Sequence, residues 1–236
     1  MVALTLKEGT MDRNTFESYP QRRHGGALML LAALGLFAAL AVATSGSVAA
    51  AGCSFCGKNL VLNPGAEAGK GLTATNVQGA VPHWTNATGQ FGAAAYTGFG
   101  VGWFTASSTG PKDKGRNYFF GGTTTAAINA KASIGTQTIK LPAGAAGHKA
   151  TLSGWLGDYG SDTASVRAAF TDGSGKVLTG GIRIGPDTTI GGGNMAYRSR
   201  SGSVPAGAVS VTVTITFTDH TNANLAGADD VSLVLT

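Results

Sequence analysis

Acidic residues are scarce in this chain. Of its 236 residues only 12 are Asp or Glu. From Cys53 onward nine remain, and Glu67 is the one glutamate among them. A glycosidase needs two carboxylates flanking the scissile bond, so a chain this poor in carboxylates offers few candidates. Histidine is equally thin. His83, His148 and His220 stand far apart beyond the N-terminal region and match no motif. No G-x-S-x-G elbow, H-E-x-x-H pair or phosphate-binding loop occurs. Together these gaps argue against an enzyme. Thirteen Lys and Arg follow Cys53, scattered singly except for the loosely spaced Lys112, Lys114 and Arg116, which read as a solvated loop. Nucleic-acid binding needs a basic stripe, and none is present.

Cysteine is limited to Cys53 and Cys56, in CSFC. Zinc would call for a second ligand pair at matching spacing, which the sequence lacks. A thioredoxin-like pair would open a helix after a strand, but GKNLVLN follows instead. Two readings remain. A disulfide suits an exported protein, although so small a loop removes little entropy from the unfolded chain. Alternatively AAGC resembles a bacterial lipobox, with Cys53 as the acylated residue and Ala50 where leucine is usual. The disulfide is the preferred reading.

The N-terminal 52 residues differ from the rest. Arg22, Arg23 and His24 precede an apolar run from Ala27 to Ala43, and TSGSVAAAG follows. A positive flank, an apolar segment and a small-residue exit describe a secretory signal. At 17 residues the run sits at the short limit for spanning a bilayer, so a retained anchor is the rival reading. Met11 is an alternative start, and the Arg pair only half resembles a twin-arginine signal. The chain therefore divides into an export segment, residues 1–52, and one domain, residues 53–236. The protein is expected to be secreted, or else a cell-surface lipoprotein. It would meet membrane only through an uncleaved signal or a lipidated Cys53.

What the domain does have is alternation. In AVSVTVTITFTD, Val209, Val211, Val213, Ile215 and Phe217 share one face and Ser210, Thr212, Thr214, Thr216 and Thr218 the other. Period two with β-branched residues is a half-buried antiparallel strand. Similar runs occur at NLVLN, INAKASIGTQTIKL, ATLSGWLGDYG, SVRAAFTD, KVLTGGIRI and DDVSLVLT. FTDGSGKVL places Asp172–Gly175 between two runs as a hairpin signal. About eight strands with glycine-rich connections predict an all-β domain, most economically a two-sheet sandwich. GGGNMAYRSRSG, residues 191–202, is expected to be a flexible loop.

The landmarks NLVLNPGAEAG, VPHW, RNYFFGG, GTQTIKLPAG, LSGWLGDYGSD, FTDGSGKVL, VPAGAVSVTVTITF and ADDVSLVLT then fall into a familiar order. The chain from about residue 58 to 236 resembles the galactose-binding-like jelly roll of exported bacterial proteins and carbohydrate-binding modules. That resemblance implies a structural calcium ion near the domain termini. The glutamate after the first run and an aspartate opening the last strand would be its side-chain ligands, here Glu67 and Asp229, with Asp230 as a further candidate. Calcium takes six to eight oxygen ligands, so a lone glutamate in a turn gains a purpose. Strict alternation puts Asp229 on the face of Val231, Leu233 and Leu235, hence inward.

A sugar platform needs an aromatic face. Trp84 and Trp155 read as core, and at least one of Phe119 and Phe120 should face inward. Trp103 and Tyr159 lie among glycines in expected loops, where recognition tends to concentrate. Asp158 and Asp162 could bond sugar hydroxyls beside Tyr159. The threonine face of residues 210–218 reads as the wet side of a sheet. The expected function is a non-catalytic exported module binding a polysaccharide or cell-envelope glycan. A structural or adhesive domain without a small ligand is the alternative.

Overall fold

The computed structural model describes residues 53–72, 80–97, 103–122, 131–158, 160–186, 191–221 and 223–236. The export segment and Tyr159 lie outside these residues. Ten strands form: β1 (Thr85–Thr88), β2 (Gly92–Ala95), β3 (Asn117–Phe120), β4 (Ala132–Lys140), β5 (Lys149–Asp158), β6 (Thr163–Thr171), β7 (Ile182–Ile184), β8 (Asn194–Ser203), β9 (Ser210–Thr218) and β10 (Gly227–Leu235). No helix occurs among the described residues. Two five-stranded antiparallel sheets result. The first has the order β1-β4-β9-β6-β7 and the second β2-β3-β10-β5-β8. This is the jelly-roll sandwich that the sequence predicts.

The alternating strand is β9. Val211, Val213, Ile215 and Phe217 are fully buried while its threonines stay half-exposed. It pairs along its whole length with β4 on one side and β6 on the other. Across the sandwich, Leu152 and Leu156 of β5 and Val231, Leu233 and Leu235 of β10 fill the same core. Trp84, Phe91, Phe119 and Phe217 pack as one aromatic group with ring centroids 5.0–6.1 Å apart. Gly135 is the seat for this group, because a Cβ there would collide with the Phe91 ring.

Three expectations require correction. NLVLN adds no strand of its own, only a bridge from Asn59 to Val234. KVLTGGIRI yields only β7, with Val177 bridged to Thr171 around the Asp172 turn. The expected flexible loop, residues 191–202, is mostly β8, paired with β5 from Asn194 to Ser203. Its glycines hid a regular strand whose buried anchor is Met195 and whose other residues are largely solvated.

The second sheet is apolar on both faces near β3. Phe119 enters the main core, whereas Tyr118 and Phe120 turn outward. There they join Tyr96, Phe104 and Met195 in a second cluster, with Trp103 packed against it. Truncating Phe91 to alanine should lower unfolding free energy by about 3–5 kcal/mol in urea titrations, as for other buried aromatics. Gly135→Val should be at least as damaging, because a β-branched side chain would occupy the space of that ring.

Candidate functional site

The turn that follows the NLV run is held by unusual backbone. Asn63 and Ala66 both adopt left-handed φ, at 49° and 60°. Asn63 supports the shape by accepting the Ala68 amide proton through Oδ1 and donating through Nδ2 to the Pro82 carbonyl. The turn then docks on the last strand, where the Val231 amide donates to the Pro64 carbonyl over 3.0 Å.

At this junction β10 carries a bulge. The register with β5 shifts between Asp229 and Ser232, and Asp230 has φ 48°. A bulged residue moves every later side chain to the opposite face. Asp229 therefore does not share a face with Val231, Leu233 and Leu235 as alternation implied. It is buried on the outer side of the second sheet, where its Oδ2 accepts the Tyr96 hydroxyl at 2.7 Å. Its Oδ1 accepts the Asp230 amide at 2.8 Å. Burial was the right expectation, reached through the wrong face.

Glu67, Asp229 and Asp230 converge around Gly65. A Cβ on Gly65 would stand 2.9 Å from Asp229 Oδ1 and 3.5 Å from Asp230 Oδ1, with the Glu67 Cγ 3.8 Å away. The Glu67 carboxylate accepts the amides of Arg116 at 3.0 Å and Asn117 at 2.8 Å, so it fastens the start of β3. Arg116 Nε lies 3.8 Å from Glu67 Oε2, the nearest cation to the group. Burial pushes Asp229 up to about 8, and the charges of Asp230 and Glu67 add to the rise. Asp230 is raised as well, by burial and then by Asp113 and Glu67. Asp113 was not singled out in the sequence, where nothing marks it as close to the others.

Glu67, Asp229 and Asp230, with Asp113 near enough to raise Asp230, are a donor set suited to a hard divalent cation. The ligand-capable oxygens are not yet gathered on one point. Among the described residues only Cys53, Cys56 and His148 bring three potential ligand atoms within 4.8 Å of one another. Binding calcium through Glu67, Asp229 and Asp230 would therefore draw their oxygens together. A cleft of about 470 Å³ opens beside the same turn, with Lys70, Tyr96, Thr97, Arg116 and Asn117 on its walls.

The loop residues expected to touch sugar are placed otherwise. Asp158 is buried, its Oδ1 accepting the Gly191 amide. Asp162 is fully buried. Its oxygens accept the amides of His220 and Leu225 and so fasten the connection that leaves β9. Neither carboxylate is open to a ligand, which corrects their assignment as sugar contacts. Trp103 lies half-buried with its ring centroid 4.5 Å from that of Phe120, capping the second cluster.

The open aromatic surface is elsewhere. Trp84 is core as expected, but Trp155 faces outward on β5, opposite Tyr197 on β8. The two rings meet edge to face at 5.8 Å, and Tyr197 is 52 % exposed. The next cross-strand pairs on that face are Ser153 with Ser199 and Thr151 with Ser201. Residues 195–201 alternate in a way that could have revealed this face, but the surrounding glycines obscured it.

Cys53 and Cys56 form a disulfide with Cα atoms 5.3 Å apart, the preferred of the two readings.

No family model matches the chain, and no curated protein sequence matches it. Similar solved structures include the enzymatically active domain of tailspike protein 4 of bacteriophage CBA120, at TM-score 0.50 and 17% identity. That match covers 75% of this chain and 21% of the tailspike chain, so the shared region is about a fifth of the larger protein. A family 16 carbohydrate-binding module is similar at TM-score 0.45 and 16% identity, covering 75% of this chain and 99% of that one. A family 61 module solved with β-1,4-galactotriose follows at TM-score 0.39 and 11% identity, covering 76% and 99%. At 17% identity the tailspike likeness speaks to fold alone.

The raised Asp229 has a thermodynamic consequence in chelator. The folded state holds a proton that the unfolded chain releases near its ordinary value of 3.8. Its contribution to stability is thus complete below about pH 4 and is lost as pH rises through about 8. Urea titrations in chelator should show stability falling between pH 5 and pH 8.5, and Asp229→Asn should flatten that slope.

Proposed function

We propose that residues 53–236 form a non-catalytic carbohydrate-binding module, exported by residues 1–52 and steadied by calcium. The observation that carries the carbohydrate reading is the outward Trp155–Tyr197 pair on adjacent, fully paired strands. Aromatic rings with a polar edge stack on the C–H faces of pyranoses, and both of these present such an edge. A platform on strands is held more rigidly than one on a loop. The exposed hydroxyls of Ser199 and Ser201, the latter bonded to Thr151, continue the same face and would supply partners for sugar hydroxyls. By contrast, the outward residues of β9 and its neighbours include threonines and the opposed pair Arg167 and Arg183, with the rings of Phe170 and Phe217 turned inward to the core.

The non-catalytic reading is supported by how the carboxylates are used. Asp158 and Asp162 serve internal amides, and Asp172 folds its own turn by accepting the amides of Ser174 and Lys176. The calcium reading is supported by the carboxylate crowding at Gly65 and the raised Asp229. There the ion would offset like-charge repulsion between Glu67, Asp229 and Asp230, and tie the first turn to the last strand.

Two measurements test these readings. On a glycan array the wild type should bind, while Tyr197→Ala should lose most of the signal with unchanged melting and Trp155→Ala, whose ring also packs on the second cluster, should lose it with some fall in Tm. Failure of every form to bind any glycan would leave a structural or adhesive domain instead. For the metal, a ligand at a hundredfold excess over Kd stabilises by about 2.7 kcal/mol. Chelation should then lower Tm by about 5–10 °C for a domain of this size. Glu67→Gln should erase that response. A Tm indifferent to chelator and to added calcium would overturn the calcium assignment alone.

A further inference from the structure

The disulfide that closes CSFC spans only three positions, and so short a loop contributes little by entropy. Its surroundings suggest another use. His148, 92 residues away at the start of β5, places Nδ1 3.7 Å from Cys56 Sγ. Its ring is held edge-on by Phe55 at a centroid distance of 5.3 Å. The Thr236 carbonyl oxygen lies 3.3 Å from the same Nδ1. Cys53, Cys56 and His148 each offer a ligand atom, all within 4.8 Å of one another, and all three residues are half-buried.

We infer that the reduced form of Cys53 and Cys56, with His148, is a three-ligand site for Zn²⁺. The distances fit the ion. With Zn–S near 2.3 Å and Zn–N near 2.05 Å, a tetrahedral S···N edge is about 3.6 Å and an S···S edge about 3.8 Å. The Cys56 Sγ–His148 Nδ1 separation already matches. The two sulfurs must part, and two cysteines separated by two residues are the spacing that places both thiolates on one ion. A second cysteine pair, which the sequence lacks, is unnecessary because the turn before β5 supplies the imidazole. The fourth position stays open to water.

Disulfide and metal are alternatives at this site. A dithiol reductant attacks one sulfur, forming a mixed disulfide and releasing one thiolate. Its second thiol then displaces the other cysteine, leaving the reductant as its own disulfide and the protein with two thiols. Zinc binds the deprotonated pair and a neutral His148, releasing the thiol protons to solvent. The ion would then hold residues 53–56 against the turn before β5, beside the end of β10, whose Leu235 carbonyl already accepts the Gly57 amide.

The test is a Co²⁺ titration of the full-length chain under anaerobic conditions, before and after reduction by a dithiol and its removal. Reduced protein should develop thiolate-to-cobalt charge-transfer absorption and tetrahedral d–d bands, which Zn²⁺ displaces. The disulfide form should show neither. Cys56→Ser should abolish the signal, and His148→Gln should lose most of it while near-ultraviolet circular dichroism stays native. Reduced, folded protein that shows no charge-transfer band would overturn the site. A reduced His148→Gln variant that binds as well as wild type would remove the imidazole from it.

Discussion

The last strand of the chain sits in the middle of its sheet. β10 is flanked by β3 and β5, contacts the main core through Val231, Leu233 and Leu235, and receives the Asn63–Ala66 turn through the Val231 to Pro64 bond. Residues at both ends of the domain must therefore meet before the second sheet can close. Pairings this distant in sequence carry a large loop-closure cost and slow folding relative to local contacts. Asn59 reinforces the seam, accepting the Leu233 amide and donating to the Val231 carbonyl. The carboxylates of Glu67, Asp229 and Asp230 lie at the same junction, so a cation there would act where the topology is most demanding.

A single bulge decides what those carboxylates face. Without it, Asp229 would enter a core made of leucine, valine and phenylalanine, where no hydroxyl awaits it. With it, Asp229 reaches Tyr96, whose own ionisation is driven upward by burial and by that neighbouring carboxylate. Buried polar groups are tolerated when partnered. The left-handed φ at Asp230 is the local strain that makes this arrangement available, and aspartate is among the few residues that accept it.

Much of the fold was legible because it rests on alternation. β9, β4, β6 and the end of β10 announce themselves by period two. What escaped were features that alternation does not encode. β8 was hidden by flanking glycines and exposed arginines, although Met195 and Tyr197 keep the period. The bulge reversed the parity argument for Asp229, since one inserted residue is silent in the sequence. The short strands β1, β2 and β3 take their pairing from neighbours rather than from pattern, and β3 is buried on both faces. Among candidate site residues, Glu67, Asp229 and Asp230 were legible as a group only through paired motifs at opposite ends. The outward Trp155 and the approach of His148 to Cys56 depend on three-dimensional placement alone.

β8 also ends its sheet, and past Met195, whose amide bonds to the Thr109 carbonyl, no strand pairs with its outer side among the described residues. Such a border is a template on which another chain can add a strand, the first step toward aggregation. Here the border carries Arg198 and Arg200 among serines and glycine, with the exposed positions concentrated between Tyr197 and Ser203. Two copies approaching edge to edge in antiparallel register would bring these guanidinium groups together and desolvate them. The positive charge that looked incidental in the sequence thus discourages the sandwich from extending itself, and leaves that margin wet and solitary at high concentration.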